Sequence, residues 1–239
     1  MKRHIMIAVP AYTGTVHVGT MRALIADIVG LLRRGDLMTL VDDIACCDLY
    51  DTRARSMAKF LESDCTDLML IDNDVMWEAG AIPRLVDHAE DFVAGMYPKR
   101  QDPLIYDLQY LDDETKFLPC NPVNGLLEVR ACSGGMMRVK RSVIERMVEH
   151  YKDDPVAGMY ERDGRGKSYG LWDPVWIRED GKRVRKLGDD YSFCHRWKAM
   201  GGRIWIDPSF AMGHAGLKVF MGKFGDWIKA VPGTEEKAA

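Results

Sequence analysis

The chain has 239 residues, enough for one large domain or two small ones and for a sizeable buried core. With 47% hydrophobic and 29% charged residues it has the balance of an ordinary globular protein, which excludes a wholly disordered or fibrous chain. A formal net charge of -3 gives the whole molecule no general pull on polyanions, so a polyanionic partner would need a local patch.

No apolar run approaches the roughly 20 residues that cross a bilayer, and Met1-Lys2-Arg3-His4 leads into too short an apolar run for a signal peptide. A cytoplasmic location is therefore expected. Six cysteines, Cys46, Cys47, Cys65, Cys120, Cys132 and Cys194, lack C-x-x-C spacing and read as small buried hydrophobes, with neither a zinc cluster nor a disulfide frame implied. Methionines such as Met6, Met69, Met136 and Met137 fall in apolar positions and read as core.

Ile5 to Val9 is an apolar run closed by Pro10, which predicts a strand buried on both faces. From Thr15 to Arg33, Val18, Met21, Leu24, Ile25, Ile28 and Leu32 recur at helical spacing, and Gly35 stops the helix. Residues 37–44 predict a second strand, residues 52–62 a second helix and residues 68–71 a third buried strand that runs into Asp72-Asn73-Asp74. A helix over 80–90 and strands over 92–96 and 106–111 follow. This β–α alternation predicts an α/β fold with a mostly parallel central sheet flanked by helices.

Residues 126–139 read as strand interrupted by Ser133-Gly134-Gly135, and residues 141–151 as an amphipathic helix. The polar, glycine-punctuated stretch 152–188 reads as one long functional loop. A helix over 190–200 and a strand over 203–206 complete the pattern. Residues 1–220 form one expected domain, with a nucleotide-binding half at 1–115, an acceptor half at 116–220 and a tail at 221–239.

Asp72-Asn73-Asp74 puts two carboxylates at the carboxyl end of a central strand, where ligands of such sheets bind. Two hard oxygen ligands there suit Mg2+ or Mn2+ held together with substrate phosphates, although an Asx turn would use the same residues. Asp189-Asp190 places a second acidic pair at a helix start, where ordinary N-capping accounts for one acid more readily than two. His214 lies between Gly213 and Ala215-Gly216, beyond a strand end and without an apolar face of its own.

Taken in order, Val9-Pro10-Ala11-Tyr12, Thr52-Arg53-Ala54-Arg55-Ser56, Asp72-Asn73-Asp74, Ser133-Gly134-Gly135-Met136-Met137, Gly188-Asp189-Asp190-Tyr191-Ser192-Phe193, and Ile206-Asp207-Pro208 with His214 resemble the GT-A nucleotide-sugar glycosyltransferases. The likeness is to the compact bacterial and phage members of the family-2-like group and spans residues 4–216. It implies that Pro10, Ala11 and Tyr12 contact the nucleoside, with an aromatic ring to stack on the base. It places Arg55 at the arginine of the family's A-R-N helix motif, with Ser56 in place of the usual Asn. It puts Asp72, with Asn73 beside it, at the ribose or base, Gly134 and Gly135 at the donor sugar, and Asp74 and His214 on Mn2+ or Mg2+. Asp190 falls at the general base of inverting members, with Asp189 where Glu is common. The donor implied is a UDP-sugar and the acceptor a hydroxyl group.

Two other classes compete. A nucleotidyltransferase would share the sheet and metal carboxylates but usually carries a glycine-rich phosphate loop, whereas Gly14 and Gly19 stand isolated here. A non-catalytic nucleotide-sugar-binding domain would not need Asp72, Asp74, Asp190 and His214 together. The basic run Lys182, Arg183, Arg185 and Lys186, just before the second acidic pair, permits an anionic acceptor such as a phospholipid carrier or a hydroxymethylated DNA base.

Overall fold

The computed structural model describes residues 2–44, 46–161 and 166–230. Its centre is a seven-stranded sheet made of β1 (His4–Ala11), β2 (Leu37–Ile44), β3 (Asp67–Ile71), β5 (Phe92–Gly95), β7 (Leu127–Val129), β9 (Met136–Lys140) and β14 (Ile204–Asp207). The strands lie in the order β2-β1-β3-β9-β5-β14-β7. All run the same way except β9 and β7, which oppose their neighbours, so the sheet is mixed and mostly parallel. The structure is a single α/β domain, as the alternation predicts.

Side-chain alternation along β1 splits the core in two. Met6 and Ala8 join Leu68 and Leu70 of β3 under α2 (Leu49–Glu62), α4 (Arg141–His150) and α5 (Asp189–Ala199). Ile5, Ile7 and Val9 join Met69 and Ile71 under α1 (Val18–Arg33) and α3 (Ala81–Asp87). Covered on both faces, β3 is buried along its whole length, which is why its sequence is almost continuously apolar. The four methionines read as core are at most 2% exposed.

Several expectations are corrected. Pro10 does not end β1, which continues to Ala11. Pairing with β3 stops at Ala8, so Pro10 has a neighbour on only one side and its missing N–H breaks no ladder there. Helix α1 has the expected period but a different phase: Thr20, Ala23, Leu24, Asp27 and Leu31 face the core, and Val18, Met21, Ile25 and Leu32 face outward. Asp27 sets that phase. Its buried carboxylate accepts hydrogen bonds from Trp77 Nε1 (2.9 Å), the Ile82 N–H (2.9 Å) and the Gly80 N–H, so it caps the start of α3.

The stretch 152–188 is not one loop. It forms two hairpins, β10 (Met159–Glu161) with β11 (Lys167–Tyr169) and β12 (Trp176–Glu179) with β13 (Lys182–Lys186), joined by a 3-10 turn at Gly170–Trp172. Trp172 anchors them: it is fully buried and stacks on Phe193 of α5 at 4.1 Å between ring centroids. Arg196 of α5 clasps the same turn through the Leu171 and Asp173 carbonyls, at 3.0 and 2.6 Å.

β6 (Leu108–Gln109) pairs with β8 (Ala131–Cys132), the short remainder of the strand expected over 106–111. His214 lies within a strand, β15 (Ala211–Ala215), between β4 (Val75–Trp77) and β16 (Val219–Lys223) in a small sheet. The chain beyond residue 220 continues through β16 into α6 (Phe224–Ala230), whose Phe224 is buried against Tyr106; residues 231–239 lie outside the described part. Among the six cysteines Cys65, Cys132 and Cys194 are buried as expected, Cys46 is half-buried, Cys47 and Cys120 are exposed, and all are free thiols. Among the described residues no helix is long and apolar enough to cross a membrane.

Candidate active site

Between β1 and β3 the chain's direction of progress across the sheet reverses, which opens a crevice at the carboxyl ends of the strands. Asp72 leaves β3 into that crevice. Its Oδ1 accepts from Arg53 Nη2 at 3.2 Å, and the other guanidinium nitrogen of Arg53 is bonded to Asp189. Arg53 thus joins two acids 117 positions apart, the second on the first turn of α5. Its side chain is 2% exposed and lies 5.4 Å from the Trp172 ring, so the hairpin segment walls it off from solvent. Burial works against its charge, but Asp72, Asp189 and Asp190 more than offset that and keep it firmly protonated.

Gly188 occupies the N-cap of α5, and no side chain caps the helix. Asp190 is therefore free to reach sideways: its Oδ2 accepts from the Gly134 N–H at 3.1 Å and its Oδ1 from the Tyr191 N–H at 2.7 Å. Burial is the largest influence on this carboxyl; Arg53 pulls the other way and Asp189 adds to the rise, leaving it at about 6 against an ordinary 3.8. Asp190 is then ionised at neutral pH yet more basic than a surface carboxylate, as a general base requires.

The double glycine is required by space. A Cβ on Gly134 would overlap the Arg53 guanidinium, and one on Gly135 would stand 2.6 Å from the Tyr97 hydroxyl and 2.7 Å from Asp72 Oδ2. The Gly135 N–H donates to that hydroxyl at 3.1 Å, and the Gly135 carbonyl accepts from the Asp72 N–H at 3.1 Å. Backbone and carboxylate are locked together at the floor of the crevice.

Asp74 lies at the rim. Its Oδ1 stands 3.6 Å from His214 Nε2 and its Oδ2 is bonded to Arg100, while the Ala215 N–H donates to the Asp74 carbonyl at 2.9 Å. His214 Nδ1 is 3.1 Å from the Pro98 carbonyl and donates its proton there, which leaves Nε2 with its lone pair toward Asp74. Burial and the neighbouring Arg100 push His214 below the usual imidazole range, so it stays neutral, as a ligand must. One carboxylate and one imidazole nitrogen 3.6 Å apart fit a Mn2+- or Mg2+-sized ion that takes its other ligands from phosphate and water. Arg100 holds the same carboxylate and would have to yield to the ion.

The remaining expected residues have distinct places. Pro10 and Ala11 end β1 beside the crevice, and Tyr12 is 60% exposed, so its ring can offer a face to a planar ligand. Asn73 is a tether: its side chain donates to the Thr15 carbonyl at 2.8 Å and its carbonyl accepts from the His17 N–H at 2.8 Å. Arg55 does not join the acids. It pairs with Asp43 at 2.6 Å on the edge strand, level with Pro10. Asp207 faces away from the site and ties α3 to the sheet through Arg84 (2.6 Å) and His88 (2.9 Å).

Arg53, Tyr97 and Arg100 stand at the crevice with contacts that the sequence does not assign them: in the sequence Arg53 reads only as a neighbour of Arg55 in the helix motif, and Arg100 only as part of the basic pair Lys99-Arg100. Arg53 was legible, because Arg53, Met57 and Phe60 recur at i, i+4 and i+7 and an arginine on an apolar stripe is anomalous. Tyr97 follows the end of β5, a placement that gives a weaker signal of the same kind.

No protein-family model matches the chain, and no curated protein matches it in sequence. Solved structures do match. A197 from STIV is similar at a TM-score of 0.50 and 16% identity, over 90% of this chain and 86% of that one. GalNAc-T7, solved with UDP, GalNAc and Mn2+, is similar at a TM-score of 0.51 and 9% identity, over 89% of this chain but 44% of that one. At these identities the likeness shows the fold, the GT-A arrangement of a mostly parallel sheet flanked by helices.

Proposed function

We propose that this protein is a metal-dependent glycosyltransferase that moves a sugar, with inversion, from a UDP-sugar to a hydroxyl acceptor. The observation that carries the reading is the convergence of Asp72, Asp189 and Asp190 around the buried Arg53, with Asp74 at the rim beside His214. The likeness in fold to GalNAc-T7, solved with UDP, GalNAc and Mn2+, supports the donor and metal classes. Residues 1–115 would hold the donor and residues 116–220 the acceptor.

In this reading Tyr12 stacks on the base with Pro10 and Ala11 beneath it, Arg55 lies beside them, and Asp72 binds the ribose with Asn73 holding the neighbouring loop in place. Gly134 and Gly135 let backbone approach the donor sugar. Asp74 and His214 hold Mn2+ or Mg2+, which when bound neutralises charge developing on the diphosphate leaving group. Asp190 takes the acceptor hydroxyl's proton as oxygen attacks the sugar carbon, and Arg53 fixes Asp72 and Asp189 at each side.

A cavity of about 390 Å3 lies along the Tyr191, His195 and Lys198 face of α5 and is lined also by Arg130 and Arg185, with Leu187 and Ile177 as apolar walls. Arg130 and Lys198 of that lining already pair with Asp113 and Glu128 and burial keeps His195 toward its neutral form, so an anionic acceptor, whether a phospholipid carrier, a charged glycan or a hydroxymethylated base in DNA, would draw first on Arg185 and compete for the other two cations. Incubation with UDP-sugars, Mn2+ and candidate acceptors tests the whole reading. UDP release with a glycosylated product supports it. Pyrophosphate release would assign the chain to nucleotidyl transfer, and binding without turnover would make it a non-catalytic module.

A further inference from the structure

The face formed by α1 and the free edge of β2 is apolar and exposed. On α1, Val18, Met21, Ile25, Val29 and Leu32 are each between 39% and 54% exposed. Strand β2 pairs with β1 alone, so its outer row of backbone N–H and C=O groups is open, and its Leu37, Leu40 and Ile44 are 54%, 59% and 54% exposed. It carries neither proline nor lysine to blunt the edge, and of its two charges Asp43 is neutralised by Arg55, leaving Asp42 near its end.

The parallel register pairs Met38 with Ile5 and Leu40 with Ile7, which puts Met38, Leu40, Asp42 and Ile44 on the sheet face that α1 covers. Ile44 also lies at the turn leading into α1, where a Cβ on Gly14 would stand 3.6 Å from it. Helix stripe and strand edge are therefore one patch. Seven half-exposed apolar side chains, the five of α1 with Leu40 and Ile44, present roughly 600 Å2, at the upper end for the largest patch of a monomer and approaching the roughly 800 Å2 per partner of a stable interface, while Leu37, paired with His4, lies on the other face of the sheet.

We infer that this face docks a second copy of the chain, the two β2 strands pairing antiparallel about a two-fold axis with the two α1 helices side by side. An open strand edge is satisfied by another strand edge, and a two-fold contact brings the same apolar patch to both sides. The charges agree. Helix α1 leads back from the end of β1 to the start of β2, so Arg33 stands near the start of β2 and Asp42 near its end. Both are exposed, and among the described residues neither has an ion-pair partner. Antiparallel pairing centred near Leu40 brings Arg33 of each copy toward Asp42 of the other.

Sedimentation velocity on the full chain over a wide concentration range tests the inference, with circular dichroism to confirm that each variant is folded. The wild type is expected to sediment as a dimer that dissociates on dilution. Leu40→Lys should weaken association about 100-fold or more, because two lysines then meet at the centre of the interface. Asp42→Arg should weaken it about tenfold, and adding Arg33→Asp should restore it, a rescue that a fold defect would not give. A wild type that stays monomeric at the highest concentration overturns the inference, as does a dimer indifferent to both Leu40→Lys and the charge exchange. A monomer that co-sediments with phosphatidylcholine vesicles also overturns it and assigns the face to a lipid surface.

Discussion

Asp190→Asn separates catalysis from stability in one substitution. The folded protein holds this carboxyl at about 6, against 3.8 when unperturbed, chiefly through burial. The pKa is raised by folding, so the group's stabilising contribution is complete below about pH 4, where both states are protonated, and is lost as the pH rises through 6. Above that, ionised Asp190 costs the folded state about 3 kcal/mol, two units at about 1.4 kcal/mol each. Asparagine cannot ionise and still accepts from the Gly134 N–H; the weakened second bond, to the Tyr191 N–H, takes back about 1 kcal/mol. The variant should therefore fall about 1 kcal/mol below the wild type at about pH 3 to 4, where the carboxyl is protonated in both states, and exceed it by about 2 kcal/mol at pH 7.5, there a rise in Tm of about 4–8 °C for a chain of this length. Over the same pH range its transfer rate should be about 10²–10⁴-fold lower, with UDP affinity retained. Calorimetric melts at the two pH values and single-turnover rates measure both effects. Near-normal turnover, or a Tm that does not rise more at pH 7.5 than at pH 4, would refute the assignment of Asp190 as a buried, elevated base.

The other substitutions probe the same crevice. Arg53→Leu leaves Asp72 and Asp189 facing each other without their cation and should cost about 3–5 kcal/mol in denaturant unfolding at neutral pH; a loss below 1 kcal/mol would show that the buried bridge is dispensable. Asp74→Ala should abolish Mn2+-dependent UDP binding in calorimetric titration and His214→Ala should weaken it less, since the carboxylate is the stronger ligand for a hard cation; the reverse order would move the metal away from Asp74. Arg100→Ala frees the Asp74 carboxylate and should tighten Mn2+ binding to the protein about 2- to 5-fold, the value of a partly exposed ion pair, whereas weaker binding would give Arg100 a direct part in holding the anion.

Sequence alone determined the alternation of strands and helices, the buried β3 and the positions of both acidic pairs at element ends. Those features rest on local periodicity and on the cost of placing charge beside a central strand, which a linear pattern carries in full. The phase of α1 and the choice between Arg53 and Arg55 needed the tertiary structure. A helix with apolar residues on more than one side has several ways to face a sheet, and Asp27 decided among them by reaching Trp77 and the start of α3 about fifty residues away. Likewise, two arginines two positions apart on a helix point to opposite sides, and only packing selects which one meets Asp72 and Asp189. Trp172 made the polar stretch before α5 part of the core for the same reason: its partner, Phe193, is close only in space. Long-range pairing between buried groups leaves no periodic trace along the chain, because each partner is placed by the elements that carry it.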